Sequence, residues 1–450
     1  MHGSRVAWRV VLAAAAIAVV GVVGASAAPP TTADATAVTQ WNLIAVSTLT
    51  GVPGPGLPGP AGGAPPASQI NMGMVQGAVY DAVNAITPKH HRPYLLNRRF
   101  GNTASDDAAV ATAAYLVLKN IVETVPQSIT FPTRGALLTS LETQYNASKN
   151  AIPDSPFKNM GVAAGTAAAQ AMINARQGDG RFGPSQWVPN SAPGHWSLLP
   201  GQANDPTPWA GGVKPFLMSS SSQFRSAGPP ALTSQQWAND FNEVKAKGRA
   251  TGSTRTDEQT YIAKWWQSNP VASWNDVARQ LIARNHLDAA DATLLLGMQN
   301  LVAADAAINT WNDKYHFDFW RPWNAIVRAS EDGNDATVAD PNWTALITAP
   351  YPDHVSGHLG LDSSHTGVLR MFFGDAPAGG YQITSASALL TASDPKTRTF
   401  TGFNQAVNEI VEARIWAGLH YRTADVQAVV LGTNVANFAA ANYFEAVGNH

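Results

Sequence analysis

The chain has 450 residues, 45% hydrophobic and only 13% charged, with 14 tryptophans and a formal net charge of -2. That is enough apolar material for one large domain or for two or three core-sized units, and too much for a disordered chain. The near-neutral charge excludes a generalised polyanion-binding surface and no basic stripe suggests nucleic acid, while the lack of cysteine excludes disulfides, thiolate catalysis and cysteine-ligated metals.

At the N-terminus, Arg5 and Arg9 precede an apolar run from Val10 to Gly24 that ends in Ala25-Ser26-Ala27. This is the layout of a cleavable secretory signal over residues 1–27. The run is shorter than the ~20 residues of a spanning helix, so no stable membrane anchor is expected after cleavage. The mature protein is read as secreted, periplasmic or otherwise extracytoplasmic, and the absence of an Arg-Arg pair argues against twin-arginine export.

Residues 28–40 are small and polar, and residues 51–66 are dense in Gly and Pro, which predicts an extended tail and a surface loop. Between them Trp41 to Val46 starts a helical pattern that resumes from Met72 to Ile86. Ala-rich helices are expected over Asp106–Val122, Gly135–Ser148 and Pro156–Arg176, with Gly161 and Gly165 permitting close helix contact. From Arg181 to Pro230 many prolines and Trp187, Trp196 and Trp209 follow no clean period. That stretch reads as an irregular wrap, either a lid or a strap. Helical patterning returns at Ser234–Lys247, Thr256–Trp266 and Trp274–Trp311, the last divided near Asn285. The expected fold class is all-α: an N-terminal helical region over 28–250 and a C-terminal catalytic helix bundle over 251–450, on the residues that follow.

Three segments carry candidate chemistry. In the first, Lys314 ends a long helix and Arg321 follows seven residues later, next to the helix-breaking Pro322, so two fixed cations can converge on one anion. In the second, Tyr351-Pro352-Asp353-His354-Val355-Ser356-Gly357-His358 leads into a helix capped by Ser356. Free backbone N–H groups there, Gly357 included, would face an anion with the positive end of the helix dipole behind them, and His358 would stand over it to exchange a proton. His354 and His358 share the i, i+4 spacing of a zinc site but lack the glutamate of a zincin, and His365 reads as a core histidine. In the third, Arg414 lies near the end of a helix, His420 follows in the turn, Thr423 is placed to cap the next helix, and Asp425 is the candidate acceptor for one His420 nitrogen. Three cations, two histidines and a helix N-terminus together describe a pocket for a tetrahedral anion.

The pattern Lys-x6-Arg-Pro, Ser-Gly-His and Arg-x5-His resembles the superfamily shared by vanadium-dependent haloperoxidases and type 2 phosphatidic-acid phosphatases. Trp41-Asn42, Tyr80 to Ile86, Asn242 to Lys245, Arg255 to Gln259 and Lys264-Trp265-Trp266 also look like bacterial vanadium haloperoxidase homologues. The resemblance implies a vanadate cofactor: Lys314, Arg321 and Arg414 would neutralise its oxygens, Ser356 and the Gly357 amide would hydrogen-bond them, and His420 would bind the metal. It also implies that His358 is the acid/base group and that Lys314 polarises the activated peroxide. The implied partners are hydrogen peroxide, a halide and a small organic acceptor, with a homodimer left open. The sequence departs from the family at Val355, Ala413 and Ala424, where Pro, Ser and Asp are common. Two other readings use the same residues: a secreted acid phosphatase working through a phosphohistidine on His420, and a non-catalytic exported anion-binding or scaffold protein.

Overall fold

The computed structural model describes residues 34–51, 65–87, 91–126, 134–184, 187–203 and 205–447. The expected signal segment and most of the Gly/Pro-rich stretch after Gly51 lie outside them. The described residues form thirteen α-helices. They are α1 Thr36–Thr50, α2 Pro65–Asn84, α3 Asp106–Thr124, α4 Arg134–Ala151, α5 Pro156–Ala175, α6 Gln235–Lys247, α7 Asp257–Trp265, α8 Pro270–Arg284, α9 Ala289–Phe317, α10 Pro322–Ala325, α11 Gly357–Phe373, α12 Phe403–Trp416 and α13 Arg422–Asn442. One antiparallel hairpin, β1 Tyr381–Thr384 with β2 Thr397–Phe400, pairs Tyr381 with Phe400.

Helix starts follow local chemistry, because the first turn of a helix leaves N–H groups that a short polar side chain can accept. Ser105, Ser155, Ser234, Asn269 and Asp288 each accept a first-turn amide of the helix that follows, and Thr256 with Gln259 forms a capping box for α7. The stretch read as a loop up to Pro66 ends sooner than expected, since α2 begins at Pro65. Proline is well placed there, where its missing N–H has no helical partner to lose.

The core is built on α2 and α9, both almost wholly buried. Small residues let them approach: a Cβ on Gly73 would come within 2.8 Å of Ala304, and one on Gly297 within 2.7 Å of Tyr80. Gly161 and Gly165 do bring α5 against α3, as a Cβ on Gly165 would lie 2.5 Å from the Ala109 carbonyl. No helix among the described residues is long and apolar enough to cross a membrane.

The irregular stretch after Arg181 runs along α9 and is latched to a row of polar side chains on it. The Asp305 carboxylate accepts the amides of Phe216, Leu217 and Met218 at 2.6, 2.7 and 2.7 Å. Asn309 accepts from Phe224 at 2.9 Å and Asp313 from Ser226 at 2.8 Å. Beyond the helix end, Asp318 holds Trp187 Nε1 and His195 Nδ1 at 2.8 and 2.9 Å. The spacing 305, 309, 313 places one acceptor per turn on a single helix face.

Candidate functional site

The chain reverses where α9 ends. Asp318 takes a left-handed conformation (φ 49°) and its amide returns to the Lys314 carbonyl at 2.9 Å, so the segment from Phe319 to Pro322 doubles back and sets Arg321 beside Lys314. The turn after α12 works similarly. Gly418 has φ 74°, and a Cβ there would lie 2.5 Å from the Gly248 carbonyl, so this tight turn requires glycine. It delivers His420 a few residues after Arg414. Between these two elements sits the start of α11, anchored by the Ser356 amide donating to the Ala424 carbonyl at 3.2 Å.

The expected site residues do meet. Lys314, Arg321, Ser356, Arg414 and His420 are all buried, none of them more than 4% exposed. His420 feels the charges of Arg321, Lys314, Arg414 and His358 together. Gly357 packs against the same group, with Trp311 Cη2 at 3.1 Å and Lys314 Cε at 3.7 Å from where its Cβ would be. Any side chain there would push Trp311 away.

Burial is the main electrostatic cause throughout. It lowers the Lys314 ammonium well below its usual range, with Arg321 adding and Asp353 opposing, and it holds Arg321 and Arg414 below the usual guanidinium range. His358 and His420 are both depressed by burial, and then by neighbouring cations. The two carboxyls enclosed with them are pushed the other way by burial, Asp353 to about 7 and Asp425 well above its normal range. The cluster thus packs three basic side chains with two carboxyls where burial disfavours every charged form, a cost that a partner of opposite charge offsets.

Several polar atoms of the cluster have no partner within the protein. Arg321 Nη2, Arg414 Nε and Nη1, and Ser356 Oγ are buried donors without a hydrogen-bond partner. Buried donors are nearly always satisfied, and these four, on three segments, are of the kind that bind oxyanion oxygens. The remaining arms of Arg321 fix its plane: Nε donates to the Tyr351 carbonyl at 2.9 Å and Nη1 to the Leu419 carbonyl at 2.6 Å.

Four residues are placed differently from the sequence reading. His420 Nδ1 lies 2.8 Å from Asp353 Oδ1, and Arg321 Nη1 lies 3.9 Å from the same oxygen, so the carboxylate beside His420 is Asp353. Asp425, expected in that role, lies beside Ser356 and Arg414 instead, because it sits inside the first turn of α13 and faces the start of α11. Lys314 gives its three ammonium protons to the carbonyls of Pro352, Asp353 and Val355 at 3.1, 3.0 and 2.6 Å. It shapes the turn before Ser356 as a fixed charge, and direct donation to an anion requires it to release one carbonyl. His358 Nε2 bonds to the Trp266 carbonyl at 2.9 Å. A carbonyl only accepts, so the proton sits on Nε2 and Nδ1 is the basic nitrogen. Thr423 is not the cap of α13, which starts after Tyr421.

Sequence reasoning gave Asp353 no role. Its signal was a carboxylate three residues before Ser356, held in a turn restricted by Pro352, but its partner is set only by folding.

Residues 294–449 match the model of the VCPO second helical-bundle domain. A stretch of 124 residues is 23% identical to the vanadium chloroperoxidase of Curvularia inaequalis, covering 23% of this chain and 20% of that protein's length. Two solved structures are similar over most of the chain. One is the first bacterial vanadium-dependent iodoperoxidase, with a TM-score of 0.69 and 20% identity, covering 92% of this chain and 96% of that one. The other is a holo-type bacterial vanadium-dependent chloroperoxidase, with a TM-score of 0.63 and 15% identity, covering 84% of this chain and 91% of that one. At these identities the structural likeness is one of fold, and the domain match covers residues 294–449, the segment that carries Lys314, Arg321, Ser356, Arg414 and His420.

Proposed function

We propose that the chain is a vanadate-dependent haloperoxidase, oxidising a halide with hydrogen peroxide to a hypohalous species. The observation that carries this reading is the set of unpartnered buried donors on Arg321, Arg414 and Ser356, enclosed by cations and closed on one side by His420. Vanadate suits that donor set: Arg321, Arg414, Ser356 and the Gly357 amide would hold its oxygens, Lys314 would balance their charge, and His420 would ligate the metal. Bound vanadate would supply a Lewis-acidic centre that activates hydrogen peroxide.

The chain's own residues do the rest. With Nδ1 turned to Asp353, His420 keeps a lone pair on Nε2, which lies 3.1 Å from Arg321 Nη1. His358, neutral because burial and Arg414 depress it, can take a proton on Nδ1 and return it. The net reaction consumes halide, hydrogen peroxide and one proton and yields hypohalous acid and water, two electrons passing from halide to peroxide. We also propose export by the N-terminal segment, on its charge and apolar pattern.

The test is turnover of iodide, bromide and chloride with peroxide, from acidic to neutral pH, before and after vanadate is added. Vanadate-dependent oxidation of at least one halide is expected, and no turnover with any of them would overturn the reading. A phosphatase reading draws on the same donors, since phosphate shares the tetrahedral shape and an imidazole nitrogen such as His420 Nε2 is a competent nucleophile. That reading needs Arg321 Nη1 to release His420 Nε2; it requires release of phosphate from an aryl phosphate that His420→Ala abolishes, and undetectable hydrolysis removes it.

A further inference from the structure

The one β-hairpin among the described residues lies between α11 and α12, hence between the segment that carries His358 and the segment that carries Arg414. We propose that this hairpin positions the acid/base histidine: Arg398 on β2 and Glu409 on α12 hold Trp266 so that its carbonyl fixes the tautomer and the aim of His358. Arg398, Glu409 and Trp266 are thus positioning residues, and their catalytic meaning rests on the haloperoxidase reading above.

The chain of contacts starts at the histidine. His358 Nε2 donates at 2.9 Å to the carbonyl of Trp266, the residue that caps α7. Carbonyls at the end of a helix have no partner within it, so an acceptor is free there. Helix ends also fray, and α7 is only 9 residues long, so a carbonyl in that place keeps its direction only if something else holds the helix end.

The hairpin supplies that hold. Trp266 Nε1 donates to Glu409 Oε1 at 2.7 Å. Arg398 Nη2 donates to Glu409 Oε2 at 2.7 Å, and its Nη1 donates to Oε1. Such a two-pronged pair fixes a carboxylate in direction as well as in place. The residues flanking the strands grip the neighbouring Trp265. Just after β1 the Ser385 hydroxyl donates to its carbonyl at 2.6 Å, and just before β2 the Lys396 carbonyl accepts its Nε1 at 2.8 Å.

The consequence lies in which nitrogen of His358 can work. A neutral imidazole carries its proton on either nitrogen, and the bond made by one decides what the other offers. With Nε2–H on the Trp266 carbonyl, Nδ1 is left to take a proton; a displaced carbonyl releases that choice. Burial and Arg414 both lower the basicity of His358, and the carbonyls of Trp266 and Ser268 are the groups that oppose them. Glu409 and Arg414 also share α12, so the acid/base residue and a donor of the anion cluster are referenced to one rigid element.

The test begins with full-length protein free of vanadate, its histidines labelled with nitrogen-15. Long-range proton–nitrogen spectra distinguish an imidazole protonated on Nε2 from one protonated on Nδ1, and His358→Asn identifies the His358 signals by their loss. The parent should show His358 protonated on Nε2 alone. Trp266→Phe, which lacks the indole N–H, and Glu409→Ala should each show a mixture of tautomers. Glu409→Gln keeps an oxygen for the indole and should keep the parental state. Orthovanadate affinity, read by calorimetry, should stay within about threefold in all three, while kcat for iodide oxidation by the loaded protein falls at least about tenfold in Trp266→Phe and Glu409→Ala, with KM held and Glu409→Gln close to the parent. An unchanged tautomer in Trp266→Phe and Glu409→Ala, a loss of vanadate affinity parallel to the loss of activity, or a Glu409→Gln no better than Glu409→Ala would each overturn the proposal. If Glu409→Ala does not fold, Trp266→Phe decides alone. The expected change of tautomer with no halide oxidation by the parent would overturn the haloperoxidase reading and leave the positioning of His358 standing.

Discussion

His420 and Asp353 come from different segments, one in the turn after α12 and the other in the turn before α11, and they touch because Lys314 ties the second turn down through three carbonyls. That Lys314, Arg321, Ser356, Arg414 and His420 are buried together was legible in the sequence, since they stand in one motif of basic and polar residue types. Asp353 was not, because a carboxylate in a loop names no partner until the fold supplies one. Removing the acceptor beside a metal-ligating histidine commonly costs about 10- to 100-fold in affinity. Asp353→Asn is accordingly expected to weaken vanadate binding by roughly tenfold or more, and calorimetry that finds unchanged affinity would show that His420 is oriented without it. Arg321→Lys should lose about as much, because an ammonium cannot both reach the Tyr351 and Leu419 carbonyls and leave a donor for the anion.

At the scale of elements, helix positions and the irregular strap were readable, but what holds the strap was not. Caps such as Ser105, Ser155 and Thr256 mark helix starts in the sequence itself. The strap is instead held by its own amides on Asp305, Asn309 and Asp313, and backbone amides carry no sequence signature. The acceptors do, at one per turn of α9, yet inside an otherwise apolar helix they give no hint of what they bind. Asp305→Ala leaves three amides unpartnered at once and should destabilise the protein by about 3 kcal/mol or more. The expected signs are a lower midpoint of thermal unfolding and faster proteolysis near Phe216 to Met218; an unchanged midpoint would mean that the latch carries no load. Gly165→Ala should cost about 2 kcal/mol by forcing α5 off α3, seen in the same melting experiment.

At the scale of the whole molecule, one hydrophobic core runs from Ala35 to Phe444, and it encloses titratable groups whose pKa values burial has displaced. His365, far from the donor cluster and bonded to Gln69 at 2.8 Å, is lowered by burial to about 3. A histidine that titrates lower in the folded than in the unfolded chain contributes stability in full above about pH 6.5 and loses it as pH falls toward 3. Between pH 7 and about pH 4.5 that loss is roughly 2–3 kcal/mol. His365→Gln should therefore narrow the difference in melting temperature between those two pH values, and an unchanged difference would contradict the assignment. Calorimetric titration of orthovanadate into the purified protein probes the oxyanion pocket itself. One site per chain, displaced by phosphate and lost in Arg414→Ala, is the predicted result; no binding at millimolar vanadate, or binding indifferent to Arg414→Ala, would contradict it.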